Sequence, residues 1–361
     1  MSKQNLHPGK YLTMILDERG LSQRELASKI DIAHSLLNNI LKGNRNINVN
    51  IALSLEAAGF KKADYWMKKQ IEYLLDQASN DTELKKKNEL IKTQNQLEDL
   101  VPLSYFKKQE FLNIESPEDL DIIFNIYNSN SISSLKDQVE NYNFNYFRKS
   151  SKFAENPKNV IAWSFLAEYK AKSIKVNEFD PINERALVKE LKKCFYKNVN
   201  TLSKTKKILK KYGIKFSLLD RPAKTPVDGK SFFSIDNPAI VLSLKYKRLD
   251  NFAFTIMHEL GHIFLHLTAD KKYKNTSFFT NASNSKIEEF QADNYAKNNL
   301  INLDLWDDFE FSNREFNDDV IYDFSNKIKV HPAIIRGRVC FENPQYYRKR
   351  SSINAINVLT Y

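Results

Sequence analysis

His258-Glu259-Leu260-Gly261-His262 lies inside an apolar stretch, residues 252–267, and its reading decides the fold of the C-terminal half. Two histidines at i and i+4 share one helix face, with their Cβ atoms roughly 6 Å apart. That spacing lets both imidazoles reach one metal at Zn–N distances of about 2.0–2.1 Å. Glu259, beside them, is placed to act as general base towards water at the metal. The competing reading is a pair of buried, hydrogen-bonded histidines.

Working outward, the chain has 361 residues, enough for about two or three domains. Apolar residues make up 42% and aromatic residues 12%, which supports packed cores and argues against disorder. The formal charge of +11 and a pI near 9.2 favour a polyanionic partner. A lysine- and asparagine-rich bias alone would also raise the pI. Cys194 and Cys340 sit in no paired motif, so a reducing compartment and no disulfide framework are expected. The N-terminus lacks an apolar signal region, and no run approaches the ~18–20 apolar residues that span a bilayer. The expectation is a soluble, cytoplasmic protein without membrane contact.

The predicted fold is mostly α with a small β-sheet, an α+β arrangement. Residues 1–78 read as a helix-turn-helix bundle of about five helices. Ser22-Gln23-Arg24-Glu25 is a capping box opening a short helix with Leu26, Ala27 and Ile30. A second helix follows over residues 33–42 and stops at Gly43. Residues 11–18 and 49–58 read as flanking amphipathic helices. Residues 79–150 are polar and helical, a connector with an irregular apolar stripe and a linker at residues 128–134. Residues 151–361 form the HExxH domain. Strand-like runs at 214–219, 231–235 and 239–244 precede the motif, a helix over 285–300 follows it, and an α+β tail ends the chain. Residues 191–219 hold many lysines and no acid, which suits either phosphate contact or a solvated helix face.

In a helix-turn-helix the second helix enters the major groove. Its leading residues here are His34, Ser35, Asn38 and Asn39, and Asn can bond adenine bidentately. Gln23, Arg24 and Lys42, near helix ends, suit phosphate contact. The partner would be a double-stranded DNA operator, bound by a homodimer. The competing reading is a helical interaction module that uses the same fold.

The set His7-Pro8-Gly9, Leu21-Ser22-Gln23, Glu25-Leu26-Ala27, Asn39 to Gly43, Ala52 to Leu55 and Tyr65-Trp66 resembles the HigA-type antitoxin branch of the Xre/Cro family. The resemblance covers roughly the first fifth of the chain. It implies a dimeric operator-binding domain, often paired with a toxin. Ala33 departs from the usual Ser or Thr cap of the second helix.

A catalytic zinc site needs a third protein ligand and one open position. His266, Glu288 and Glu289 compete for that place. On a straight helix, positions i, i+4 and i+8 span too much length to meet at one ion, so His266 reads as structural or supporting. On the next helix Glu289 and Asp293 are i and i+4. Glu289 can ligate while Asp293 fixes a histidine tautomer. Glu288 would point to solvent or the opposite side, and small Ala292 and Ala296 would let the two helices approach.

Phe254-Thr255-Ile256-Met257 leading into the motif, then His266, Glu289, Ala292, Tyr295, Ala296 and the run His331 to Arg338, resembles the ImmA/IrrE metallopeptidase family over residues 214–339. Gln291 departs from a position that is often Glu. The resemblance implies His258, His262 and Glu289 as metal ligands and Glu259 as general base. It also implies zinc, or another divalent ion such as manganese, and cleavage of a regulatory protein. Together these readings predict a DNA-binding, antitoxin-like regulator with a metal-dependent endopeptidase domain, acting on a repressor or another regulator, or pairing with a cognate toxin. The alternative is a transcription factor or toxin-neutralising antitoxin whose metallopeptidase fold is a non-catalytic sensor or interaction domain.

Overall fold

The computed structural model describes residues 5–147, 157–243, 247–269, 276–280 and 286–358. The expected boundary at 150/151, the end of the third strand run at Leu244 and the helix start at Ser285 lie outside them. The chain divides into two compact units, Met1–Gln94 and Asn95–Tyr361.

The first unit holds α1 (Pro8–Arg19), α2 (Gln23–Lys29), α3 (His34–Lys42), α4 (Val49–Ala57) and α5 (Ala63–Asn80), and α6 (Thr82–Glu98) continues past its end at Gln94. The capping box forms. Ser22 N–H donates to Glu25 Oε2 at 2.7 Å, and Glu25 N–H donates to Ser22 Oγ at 3.3 Å. Ala33 supplies no side-chain cap to α3, and Gly43 closes that helix in the left-handed region at φ 84°. Leu12, Leu26, Leu37, Ile40, Leu55 and Trp66 are fully buried in the shared core. Gly9 explains how α1 and α3 come so near. A Cβ there would fall 1.9 Å from Ile40 O, so only hydrogen fits.

The second unit opens with α7 (Leu103–Lys108), α8 (Asp121–Ile126) and α9 (Ile132–Phe147). Leu97, Val101, Phe106, Ile123 and Leu135 are buried behind the ragged stripe, and Tyr127 stacks on Phe165 further along the chain with ring centroids 4.7 Å apart. The expected linker is shorter than residues 128–134, because α9 already starts at Ile132, with Ser131 Oγ accepting from Ser134 N–H at 3.1 Å.

Next come α10 (Pro157–Lys172), α11 (Glu184–Lys197), α12 (Thr201–Lys211), β1 (Lys215–Leu218), β2 (Gly229–Ser234), β3 (Asn237–Leu242), α13 (Leu249–Gly261), β4 (Phe278–Thr280) and α14 (Lys286–Leu300). The chain then continues through α15 (Leu303–Ser312), α16 (Asp318–Ile328) and α17 (Pro332–Glu342). The sheet order is β1-β3-β2-β4. β1 runs parallel to β3, with Phe216 opposite Ile240, and β2 runs antiparallel to both β3 and β4. The sequence predicted three strands and missed β4, which is three residues long and too short to show alternation.

Alternation along β2 sets out three layers. Gly229 faces Glu259 of α13, and Lys230 faces Ser164 and Glu168 of α10 on the other side. α13 and α14 pack closely because Gly261 meets Ala292. A Cβ on Gly261 would sit 3.0 Å from Ala292 Cα, and Ala292 and Ala296 are fully buried.

Candidate functional site

The polar side chains of the motif come from one well-packed helix. α13 buries every residue from Thr255 to Gly261, so the side chains of His258 and Glu259 are held in the interior. His258 Nε2 lies 3.1 Å from His262 Nε2 and 3.5 Å from Glu289 Oε2, and His262 Nε2 lies 3.1 Å from Glu289 Oε1. The ligand atoms of His258, His262 and Glu289 all fall within 4.8 Å of one another. Four donors around one ion at about 2.0–2.1 Å in a tetrahedron stand roughly 3.3–3.4 Å apart. Two imidazole nitrogens and a carboxylate at the observed spacing therefore fit a divalent metal.

The far side of each ring is also held. His258 Nδ1 is 2.8 Å from Asp293 Oδ1; with Nδ1–H donating to that carboxylate, Nε2 is the nitrogen that faces the other two ligand atoms. The His262 ring stacks on Phe278 of β4 with centroids 4.5 Å apart, and its Nδ1 is 3.1 Å from His266 Nδ1. His266 in turn places Nε2 2.9 Å from Gln291 Oε1. The helix does not continue as a straight α-helix here. His262–Leu267 is wound as a π-helix, which the sequence did not signal, and His266 meets the Nδ1 edge of His262 instead of the Nε2 cluster. Glu288 is half-buried, with Oε2 screened from solvent, so it does not point to open water.

Electrostatics follow from burial and these pairings. Burial opposes a charge on His258, but the hydrogen bonds with Asp293 and Glu289 and the nearby Glu259 charge outweigh it and push its pKa up to about 10. Burial, only partly offset by Glu289, brings His262 down to about 4. Burial would raise Glu289, yet its bonds to His258 and His262 prevail and hold it at about 2. The site thus keeps an anionic ligand and one neutral imidazole ready across the neutral range. Glu259 is fully buried, and its Oε1 lies where a Cβ on Gly229 would come within 2.3 Å. Sequence reasoning missed Gly229, Phe278 and Gln291 as parts of this site. Gln291 had drawn notice only as a departure from the family pattern, and nothing local marks the other two.

In the first unit α3 is amphipathic. Leu37, Ile40 and Leu41 are buried, whereas His34, Ser35, Asn39 and Lys42 are exposed and Asn38 is half-buried. Gln23 and Arg24 are exposed at the start of α2. The candidates on α3 therefore lie away from its buried stripe, and those on α2 are open to solvent.

Fold and site define a helix-turn-helix protein joined to a metallopeptidase-type domain. Residues 12–66 match the helix-turn-helix family model, and residues 209–331 match that of the IrrE N-terminal-like domain. The chain belongs to the family of virulence-associated protein A of Dichelobacter nodosus, to which it is 36% identical over 75 residues, 20% of this chain and 74% of that relative. Among solved structures, a Pseudomonas aeruginosa protein in complex with its 18-bp operator DNA is 28% identical over 23% of this chain and 92% of its own, with a TM-score of 0.22. An addiction-module antidote protein of the HigA family from Coxiella burnetii is 25% identical over 28% of this chain and 98% of its own, with a TM-score of 0.20. No helix among the described residues is long and apolar enough to cross a membrane.

Proposed function

We propose that the chain is an antitoxin-like, operator-binding regulator whose second unit is a metal-dependent endopeptidase acting on a regulatory protein. The observation that supports the peptidase reading best is the convergence of His258, His262 and Glu289 beside the buried carboxylate of Glu259. A divalent ion, zinc or manganese, supplies Lewis acidity there when bound. His258, His262 and Glu289 would hold it, and Asp293 would keep His258 in the ligating tautomer. Glu259 would take the proton from the attacking water and deliver it to the leaving amine. Gly229 leaves the carboxylate the room it needs against the sheet. The exposed leading face of α3 would read base edges, with Gln23 and Lys42 on phosphates, and the DNA would be bound by a homodimer.

A second reading is favoured by one observation. His258, Glu259 and His262 are all at most 1% exposed, which leaves a protein substrate little access to the motif. In that reading the domain is a metal-dependent sensor or interaction surface that does not cleave. The deciding experiment incubates metal-loaded wild type and Glu259→Gln with the regulator or toxin encoded beside this chain. Cleavage by wild type alone supports the peptidase. Identical behaviour of the two proteins, with the metal retained in both, supports the sensor. Footprinting of the native promoter tests the operator, and no protected site would remove the DNA-binding role.

A further inference from the structure

A pocket of about 120 Å³ lies between α13, α14 and α17 and is used neither by the helix-turn-helix nor by the metal centre. Phe254 of α13, Leu300 of α14, and Ile334 and Phe341 of α17 form its apolar walls. Leu300 and Ile334 are buried, Phe254 is half-buried and Phe341 is exposed. Phe254 and Phe341 stack with ring centroids 6.4 Å apart. The Phe254 ring also lies 6.1 Å from the His258 ring, and Lys297 of α14 stands one turn beyond Asp293. The pocket is therefore built on the two helices that carry the metal-site side chains.

Its charged lining is unbalanced. Lys297, Arg338 and Asp250 border it. Asp250 is taken up by Arg248, whose Nε donates to Oδ1 at 3.0 Å and whose Nη2 donates to Oδ2. Arg338 donates from Nε to Glu342 Oε1 at 3.0 Å and lays its guanidinium over Trp306, with Cζ 4.2 Å from the ring centroid. The Arg338 side chain is 10% exposed, and neither of its terminal nitrogens has a partner among the described residues. Glu342 also accepts from Trp306 Nε1 at 2.9 Å and lies 4.0 Å from Lys297 Nζ, so one carboxylate faces two cations. Glu310, which also feels the Arg338 charge, is exposed. A charged donor held in the interior without an acceptor is costly, and an incoming anion completes it.

Size, walls and charge together define the occupant. An apolar cavity of about 150 Å³ holds one benzene ring. The pocket thus admits an apolar body no larger than about one six-membered ring, and a nucleotide or a peptide of several residues is too big for it. A hydrocarbon would leave Arg338 and Lys297 without an acceptor, and a bare inorganic anion would leave the apolar walls uncovered. A planar carboxylate matches the fork of a guanidinium, and the rings of Phe254 and Phe341 offer faces and edges to another ring. We propose that this pocket binds a small aromatic monocarboxylate, with its ring against the apolar walls and its carboxylate on Arg338 and Lys297. The site is distinct from the metal centre and does not depend on peptidase activity.

The test uses the full-length protein and para-fluorobenzoate, read by fluorine NMR line broadening and by isothermal titration. Saturable binding that weakens with salt is expected. The matching benzamide keeps the ring and loses the charge, so it should bind about tenfold or more weakly. Acetate keeps the head and loses the ring, so at equal concentration it should not displace the probe. Arg338→Met retains an unbranched stem over Trp306 and should weaken binding by about tenfold or more. Leu300→Phe should fill the pocket and abolish binding, and Lys297→Met, at a half-buried position, should weaken it with the core untouched. Circular dichroism checks the fold of each variant, and Lys297→Met carries the comparison if Arg338→Met does not fold. Absence of saturable binding would overturn the proposal, as would equal binding of the benzamide. Unchanged binding by folded Leu300→Phe, or by the folded charge variants, would place the probe elsewhere and overturn it too.

Discussion

The Nδ1 of His258 on α13 lies 2.8 Å from Oδ1 of Asp293 on α14, joining the two helices at the metal centre. The carboxylate sits one helical turn beyond Glu289, so a single face of α14 supplies both a ligand candidate and the group that orients a ligand. Asp293→Ala should lower metal affinity by about 10–100-fold while the fold persists. Isothermal titration of the metal-free protein with zinc would measure it, and an unchanged affinity would mean that His258 is oriented by packing alone.

Glu289 and its neighbours give a sharper comparison. Glu289→Ala should abolish stoichiometric metal after dialysis, because the two imidazoles are then left without the third ligand of a tight site. Glu288→Ala and His266→Ala should keep close to the wild-type stoichiometry. Elemental analysis of the three variants decides the matter, and retention by Glu289→Ala with loss in either other variant would reassign the ligand.

Gly229 is a position where a single methyl group probes the proposed chemistry. Its Cβ would collide with Glu259 Oε1 at 2.3 Å and with Leu242 Cδ2 at 2.8 Å. Gly229→Ala should cost about 1–3 kcal/mol through overpacking and displace the carboxylate. Metal stoichiometry should be preserved while turnover falls. Full turnover in a folded Gly229→Ala protein would show that Glu259 does not need its present position.

How much of this was legible in the sequence depends on the range of each interaction. The motif and the Glu289/Asp293 pair are i, i+4 patterns, and one helix face is written locally. The capping box at Ser22 and Glu25 is similarly local. Gly229 and Phe278 act on α13 and on the His262 ring across the tertiary fold, so no spacing announces them. β4 is too short to alternate, and the buried apolar residues of 97–139 come from several short helices whose phases do not add to one stripe.

His331 supplies a pH-dependent contribution. It caps α17, accepting from Ala333 N–H through Nδ1 at 3.1 Å, and burial brings its pKa down to about 4. The unfolded ring titrates near 6.5, so between those values the unfolded chain binds more protons than the folded one. The contribution is complete above about pH 6.5 and is lost as pH falls towards 4. His331→Asn keeps the cap and removes the titration. Denaturant melts at pH 7 and pH 4.5 should show wild type losing about 1 kcal/mol more than the variant, less than the full shift because the ring is partly solvated. Equal losses would remove His331 from the acid response.

The π-wound turn over His262–Leu267 carries a structural consequence for the winding of this helix. A π turn holds one residue more than the α-helix it interrupts. Winding these same six residues as ordinary α-helix, with none removed, would leave the motif before them undisturbed. Everything from His266 onward would then rotate by about 100° about the axis. His266 would leave Gln291, and the ring of His262 would lose its lateral support while keeping its place in the chain. The extra residue thus works as a spacer that sets the phase between the motif and the segment after it.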